Sequence, residues 1–168
     1  MTENQLDGFA SHERWLREAL REAEVAALAG EVPVGAVVVR DGQIIGRGHN
    51  QVEQLQDASA HAEILALGAA AGHAGQWRLD TATLYVTLEP CTMCSGALLL
   101  SRVRTLVFGA HDPRAGAVVS TARLLQGNPY RHSVEVVGGI LGESCSELLR
   151  DFFKKQRSDS APEVGPTD

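Results

Sequence analysis

Apolar residues first recur at helical spacing between about Ser11 and Leu28, where Trp15, Leu16, Ala19, Leu20, Ala23, Ala26 and Ala27 fall on one face. Ser11 reads as an N-cap and Gly30 as the stop. The period then changes. Two short strands are predicted over about Pro33–Arg40 and Gln43–Gly48, joined by Asp41-Gly42, a strong two-residue hairpin signal. A loop from Asn50 to Ser59 precedes a helix from near His61 to about Ala71. Leu84, Val86 and Leu88 alternate within a strand over Thr83–Leu88, and a helix over Cys91–Ser101 follows. A strand at Thr105–Gly109, a loop at Ala110–Gly116, a short helix near Ser120–Gln126, a strand at Val134–Val137 and a helix from about Gly142 to Gln156 complete the pattern. Strands separated by single helices imply parallel crossovers and an α/β sheet covered on both faces. The opening hairpin adds one antiparallel pair.

Composition narrows the class. A chain of 168 residues, 44% hydrophobic and 21% charged, suits one globular domain, expected over residues 1–157. The first residues carry neither a basic nor an apolar signal region, so no signal peptide is expected. Apolar runs such as Ala97–Leu100 are far too short to cross a bilayer, and no membrane partner is expected. Three cysteines, two of them in C-x-x-C, suit a reducing compartment, with the cytoplasm as the default. The net charge of −6 argues against a nucleic-acid partner, but it is unevenly placed. Asp159, Glu163 and Asp168 supply three of those charges within residues 158–168, an expected disordered acidic tail. Arg150, Lys154, Lys155 and Arg157 lie just before it. A solvated helix end is the plainer reading of that cluster, and phosphate binding the alternative.

The chemistry concentrates in two segments, Ala60-His61-Ala62-Glu63 and Glu89-Pro90-Cys91-Thr92-Met93-Cys94, each at a helix start. Together they read H-x-E…P-C-x-x-C, the signature of zinc-dependent nucleobase deaminases. Thiols at i and i+3 in a first helical turn point one way, and the positive end of the helix favours thiolate. Pro90 suits a helix start, where its missing N–H costs nothing. His61 completes an N,S,S set, and three protein ligands leave one tetrahedral position for water, the mark of a catalytic zinc. Zinc lowers the pKa of such a water towards ~7. Glu63, two residues past His61, can lean over the metal and carry protons from water to a ring nitrogen and the leaving amine.

Plainer readings exist for each part. C-x-x-C alone is commonly structural or redox-active, and H-x-E is common by chance. A structural site needs a fourth ligand. Cys145 is the candidate, but it shares a stripe with Leu148, Leu149, Phe152 and Phe153 and reads as a core thiol. His12, His49, His73, His111 and His132 read as surface or loop residues, with His49 and His111 candidates for a pocket rim. A redox pair leaves His61 and Glu63 without a role.

Beyond the zinc motif, the chain resembles the bacterial tRNA-specific adenosine deaminases from about His12 to Arg157. The resembling strings are Glu31-Val32-Pro33-Val34-Gly35-Ala36-Val37, Ala60-His61-Ala62-Glu63-Ile64, Leu84 through Cys94, Val107-Phe108-Gly109-Ala110 and Asp151-Phe152-Phe153. The resemblance implies a three-layer α/β/α cytidine deaminase-like fold, with a five-stranded mixed sheet whose last two strands run parallel. It implies one Zn2+ per subunit between two helices, and a homodimer. The implied activity converts the wobble adenosine of an arginine tRNA anticodon stem-loop to inosine. Asn50 matches a residue that hydrogen-bonds the purine, and Val32 and Ala62 match positions lining the base pocket. Asp112 matches a loop aspartate at the nucleotide's sugar and backbone, and Phe153 and Lys154 match a helix that meets the anticodon loop. Ordinary turn chemistry is the rival role for Asn50 and Asp112.

Three stretches depart from that family. Its D-P-T-A-H-A-E lacks the proline here, at Asp57-Ala58-Ser59-Ala60. Its G-A-A-G-S reads Gly116-Ala117-Val118-Val119-Ser120, and its N-H-R reads Arg131-His132-Ser133. These changes are expected in or near substrate-facing loops. A free-base or nucleoside deaminase, acting on guanine, cytosine or adenosine, therefore stands as the alternative, and a non-catalytic RNA-binding scaffold as a third reading.

Overall fold

The computed structural model describes residues 3–159. The first helix, α1 (Glu3–Leu28), begins well before Ser11, which is an interior helical residue rather than the cap. Two antiparallel strands follow, β1 (Gly35–Arg40) and β2 (Gln43–His49). Asp41 and Gly42 between them both take positive φ, 52° and 70°, as a two-residue hairpin turn of this hand requires. Next come α2 (Val52–Leu55), α3 (Ala62–Ala74), β3 (Thr83–Leu88), α4 (Thr92–Leu100), β4 (Thr105–Ala110), β5 (Glu135–Gly138) and α5 (Gly142–Asp159). Ser158 and Asp159 thus continue the last helix; the rest of the expected acidic tail lies outside the described residues.

The five strands form one mixed sheet in the order β2-β1-β3-β4-β5. β1 runs antiparallel to both neighbours, while β3, β4 and β5 run parallel. Strand alternation then sorts the core into two layers. Ala36, Val38, Leu84, Val86, Leu106 and Phe108 face α3 and α4. Val37, Val39, Tyr85 and Val107 face α1 and the start of α5. Both faces are covered, which is why Gly35-Ala36-Val37-Val38-Val39 reads as a continuous apolar run.

Close approach brings α3 onto β2. A Cβ at Gly46 would overlap the Ala66 carbonyl oxygen and come within 2.6 Å of the Ala70 nitrogen. A Cβ at Gly48 would overlap the Ala62 carbonyl oxygen and lie 2.6 Å from the Ala66 nitrogen. Small residues on both partners let the helix rest directly on the strand backbone, which places the first turn of α3 beside the sheet.

Two further expectations need correction. The loop from Asn50 to Ser59 contains the one-turn helix α2, ended by Gln56 at φ 50°. Four residues carry too little periodicity to announce a helix. Residues 120–126 form turns rather than a helix, so β4 and β5 run parallel without a helical crossover. The long connection of residues 111–134 meets the spatial need of a parallel pair in irregular form.

Candidate active site

The site lies at the carboxyl ends of β3 and β4, where open α/β sheets commonly place their ligand crevices. Two helix starts converge there. His61 occupies the N-cap position of α3 and Cys91 that of α4, both with extended backbone, and neither side chain caps its helix. A cap normally supplies a short oxygen-bearing side chain worth about 1 kcal/mol. Here these positions hold an imidazole and a thiol turned to another use. His61 Nδ1 lies 3.7 Å from Cys91 Sγ and 3.6 Å from Cys94 Sγ. The three donor atoms lie within 4.8 Å of one another and form a group able to hold a metal ion. Contact with Cys94 and His61 holds the Cys91 thiol well below the ordinary range, and contact with Cys91 raises His61. Cys145 is not among these donors; it is buried in the layer beneath α1 and α5, as a core thiol.

Glu63, in the first turn of α3, is buried, and desolvation raises its carboxyl above the ordinary range. A buried carboxyl beside the donor group is placed to take up and release a proton, which suits it to proton transfer. It lines a cavity of about 440 Å³ together with His61 and Cys91. That size lies within the range of small-molecule sites.

Val32, Asn50, Ala62 and Asp112 also line this cavity. The Asn50 amide nitrogen donates to the Glu31 carboxylate at 3.3 Å. Asp112 Oδ1 accepts the N–H groups of Arg114 and Ala115 at 3.0 and 3.2 Å, so turn chemistry and a place on the pocket wall coexist in one residue. Phe153 and Lys154 do not line the cavity. They flank an adjoining basin on α5, together with Arg114, Arg150 and Arg157. His49 pairs with Glu22 at 3.2 Å, and His111 packs edge-on against Phe108; neither lines the cavity.

Two carboxylates at the cavity were not singled out for a role by sequence reasoning. Glu31 accepts from Asn50 and from the backbone N–H groups of Glu53 and Gln54, within α2. Glu89 collects a larger set of donors from residues 112–120. Burial works to raise Glu89, but those donors outweigh it and hold the carboxyl at about 2. Neither role was legible in the sequence, because most of their donors are backbone N–H groups 22 or more residues away. Arg114 and Gln156 were also missed; Gln156 brings the last turns of α5 to the cavity.

The three departures prove structurally mild. Asp57 Oδ1 accepts the N–H and hydroxyl of Ser59 at 2.8 and 2.7 Å, so a side-chain turn stands where the family has a proline. Val118 is buried in the core and Val119 faces outward. Arg131–Ser133 lies at the opposite end of the sheet from the cavity. There His132 Nε2 donates to the Val103 carbonyl at 2.7 Å, and β5 pairs Glu135 with Thr105, the first residue of β4.

Comparison with known proteins places this geometry in context. Residues 10–157 match the MafB19-like deaminases. The chain is 50% identical over 145 residues to the tRNA-specific adenosine deaminase of Bacillus subtilis, covering 86% of this chain and 90% of that one. A solved structure from work on A-to-I editing by tRNA deaminases at the wobble position of transfer RNA superposes with a TM-score of 0.78. It is 43% identical and covers 81% of this chain and 99% of its own. The guanine deaminase of Nitrosomonas europaea superposes with a TM-score of 0.71 at 27% identity, covering 83% of each chain.

Proposed function

The chain belongs to the MafB19-like deaminases and, among them, to the tRNA-specific adenosine deaminases, and from that premise we propose that it hydrolyses the wobble adenosine of a tRNA anticodon to inosine. One observation carries the choice of RNA over a free base. The cavity that holds Glu63 adjoins the basic and aromatic face of α5. Ala115 and Gln156 line the cavity, while their chain neighbours Arg114 and Arg157 line the basin with Phe153 and Lys154. A flipped base can enter the cavity while flanking phosphates meet that face. Electropositive groups there outweigh, locally, the acidic balance of the chain.

The donor set fits zinc. Zinc bonds of about 2.0 Å to nitrogen and 2.3 Å to sulfur in a tetrahedral site separate those donors by about 3.5 Å. The two N-to-S distances here are 3.7 and 3.6 Å. His61, Cys91 and Cys94 would hold one zinc ion per subunit, and the metal when bound supplies a Lewis acid for water activation. Glu63 takes the proton of the attacking water, delivers it to N1 of the purine and then assists departure of ammonia. Val32 and Ala62 flank the base, and Asn50 hydrogen-bonds it. Asp112 meets the sugar and backbone of the target nucleotide, and Phe153 and Lys154 meet the anticodon loop.

A homodimer is part of this reading. α4 is apolar nearly all round, yet exposes Met93 and Leu100, as a helix covered by a second copy would. No described helix is long and apolar enough to cross a membrane, and a tRNA substrate suits the cytoplasm. The test is direct. Zinc-loaded protein is given an arginine tRNA with adenosine at the wobble position and, separately, adenosine, cytidine, cytosine and guanine. Inosine at that one position, with the small substrates untouched, is the expected result. Turnover of a free base alone overturns the reading.

A further inference from the structure

The segment from Asp112 to Ser120 has no regular secondary structure, yet it forms one wall of the cavity and carries Asp112, Arg114 and Ala115. Its order comes from inside. Glu89 Oε1 accepts the N–H groups of Val118, Val119 and Ser120 at 3.2, 2.8 and 2.9 Å. Oε2 accepts the N–H of Asp112 at 3.0 Å and the Ser120 hydroxyl. The carboxylate therefore sits within the segment as an anion sits in a nest of backbone amides. Gly116 is what lets the chain close around it. A Cβ there would overlap the Glu89 carboxyl group and come within 2.6 Å of the Asp112 carbonyl oxygen.

Glu89 also has a second attachment. Its N–H donates to the Ala110 carbonyl at 2.8 Å, and the next residue, Pro90, accepts the Ala117 N–H at 2.9 Å. Cys91 follows at once. The wall is thus referenced to the strand end that sets the start of α4. Four of the five donors to the Glu89 side chain are backbone groups, so Val118 and Val119 can stand in the segment without changing the clamp.

We propose that Glu89 is a positioning residue for the polynucleotide substrate: its carboxylate holds residues 112–120 as a fixed cavity wall, and so places Asp112 and Arg114 against the nucleotide entering the site. The proposal rests on the tRNA reading for its substrate, but the clamp itself does not. Glu89→Gln keeps the side-chain volume while turning an N–H2 group towards donors that need an acceptor.

The experiment uses the zinc-loaded full chain, with zinc content measured for each variant. It combines amide hydrogen exchange with steady-state kinetics on an arginine anticodon stem-loop. Losing charge-assisted hydrogen bonds of this kind is expected to accelerate exchange at Asp112 and Val118–Ser120 by about tenfold or more, with zinc content unchanged. KM for the stem-loop is expected to rise about tenfold, with kcat within about threefold of wild type. A purely structural role would lower stability but leave KM of the folded enzyme where it was. That outcome, or a fall in kcat at unchanged KM, overturns the proposal.

If Glu89→Gln does not fold, Ser120→Ala decides. It removes one donor, so a KM rise of about two- to fourfold with faster exchange at 118–120 is expected, and unchanged KM overturns the proposal. Should the wild-type protein leave the stem-loop unmodified, the tRNA reading falls. Exchange still judges the clamp: unchanged protection in Glu89→Gln sinks it.

Discussion

The cavity has a floor and a wall built on different principles. The floor consists of two helix starts resting on a sheet, with His61, Glu63, Cys91 and Cys94 in their first turns or caps. Its precision comes from regular backbone and close packing. The wall, residues 112–120, has no regular backbone and is organised by the buried Glu89 carboxylate together with the Asp112 turn. The floor places reactive atoms, where an error of 1 Å is costly to rate. On the proposed reading, the wall meets whatever carries the base. This division predicts that damage to the floor falls on kcat and on metal content, and damage to the wall on KM.

Metal removal is the harshest way to break the floor. Chelation should abolish activity, and added zinc should restore it; activity that survives at undetectable zinc would refute the role given to His61, Cys91 and Cys94. Next comes Glu63→Gln, which keeps shape and removes the proton carrier. A loss of about 10²–10⁴-fold in kcat is expected at unchanged zinc content, measured by single-turnover inosine formation. A Glu63→Gln enzyme within tenfold of wild type would leave the proton transfer without its agent. Gly48→Ala attacks the floor from beneath, because the new methyl overlaps the Ala62 carbonyl at the start of α3. It should cost about 1–3 kcal/mol in denaturant unfolding, and lower kcat more than it raises KM.

The same division governs what could be read from the chain. The convergence of His61, Glu63, Cys91 and Cys94 was legible because their spacing sets each at a helix start. The strands carrying Val37, Tyr85 and Val107 were legible because alternation and apolar runs report burial directly. Glu89 was different. Four of its five donors are backbone N–H groups from 23 to 31 residues away, and no side-chain pattern encodes those. The parallel pairing of β4 and β5 was anticipated from a helix between them that does not form. A long connection of any conformation serves, so the topology is correct although its expected cause is absent. Asp112 illustrates the opposite limit: turn former and pocket residue looked like competing roles, and the structure assigns it both the turn and the place on the wall.

Smaller effects sharpen the wall. Arg114→Ala removes a cation from the basin without touching the backbone clamp. Weaker stem-loop binding by a few-fold, and a salt dependence shallower by about one unit of logarithmic slope, are expected if Arg114 meets a phosphate. Binding titrations at several salt concentrations measure both; an unchanged slope would place Arg114 away from the RNA backbone.

The smallest effect is the most discriminating for the family departures. Val119 donates only its backbone N–H to Glu89, and its side chain faces outward. Val119→Ala should therefore leave KM and kcat within about twofold, since a surface side chain lost at an unchanged backbone is worth under about 0.5 kcal/mol. Val118→Ala differs: that side chain is buried against the layer containing α3 and α4, and its loss should cost about 1–3 kcal/mol of stability with little change in KM. Thermal unfolding and stem-loop kinetics on the two variants separate these outcomes. A large KM change in Val119→Ala would mean that the wall touches substrate through its side chains at 119. The departures would then bear on which base is accepted, and the backbone clamp alone would no longer account for the shape of the wall.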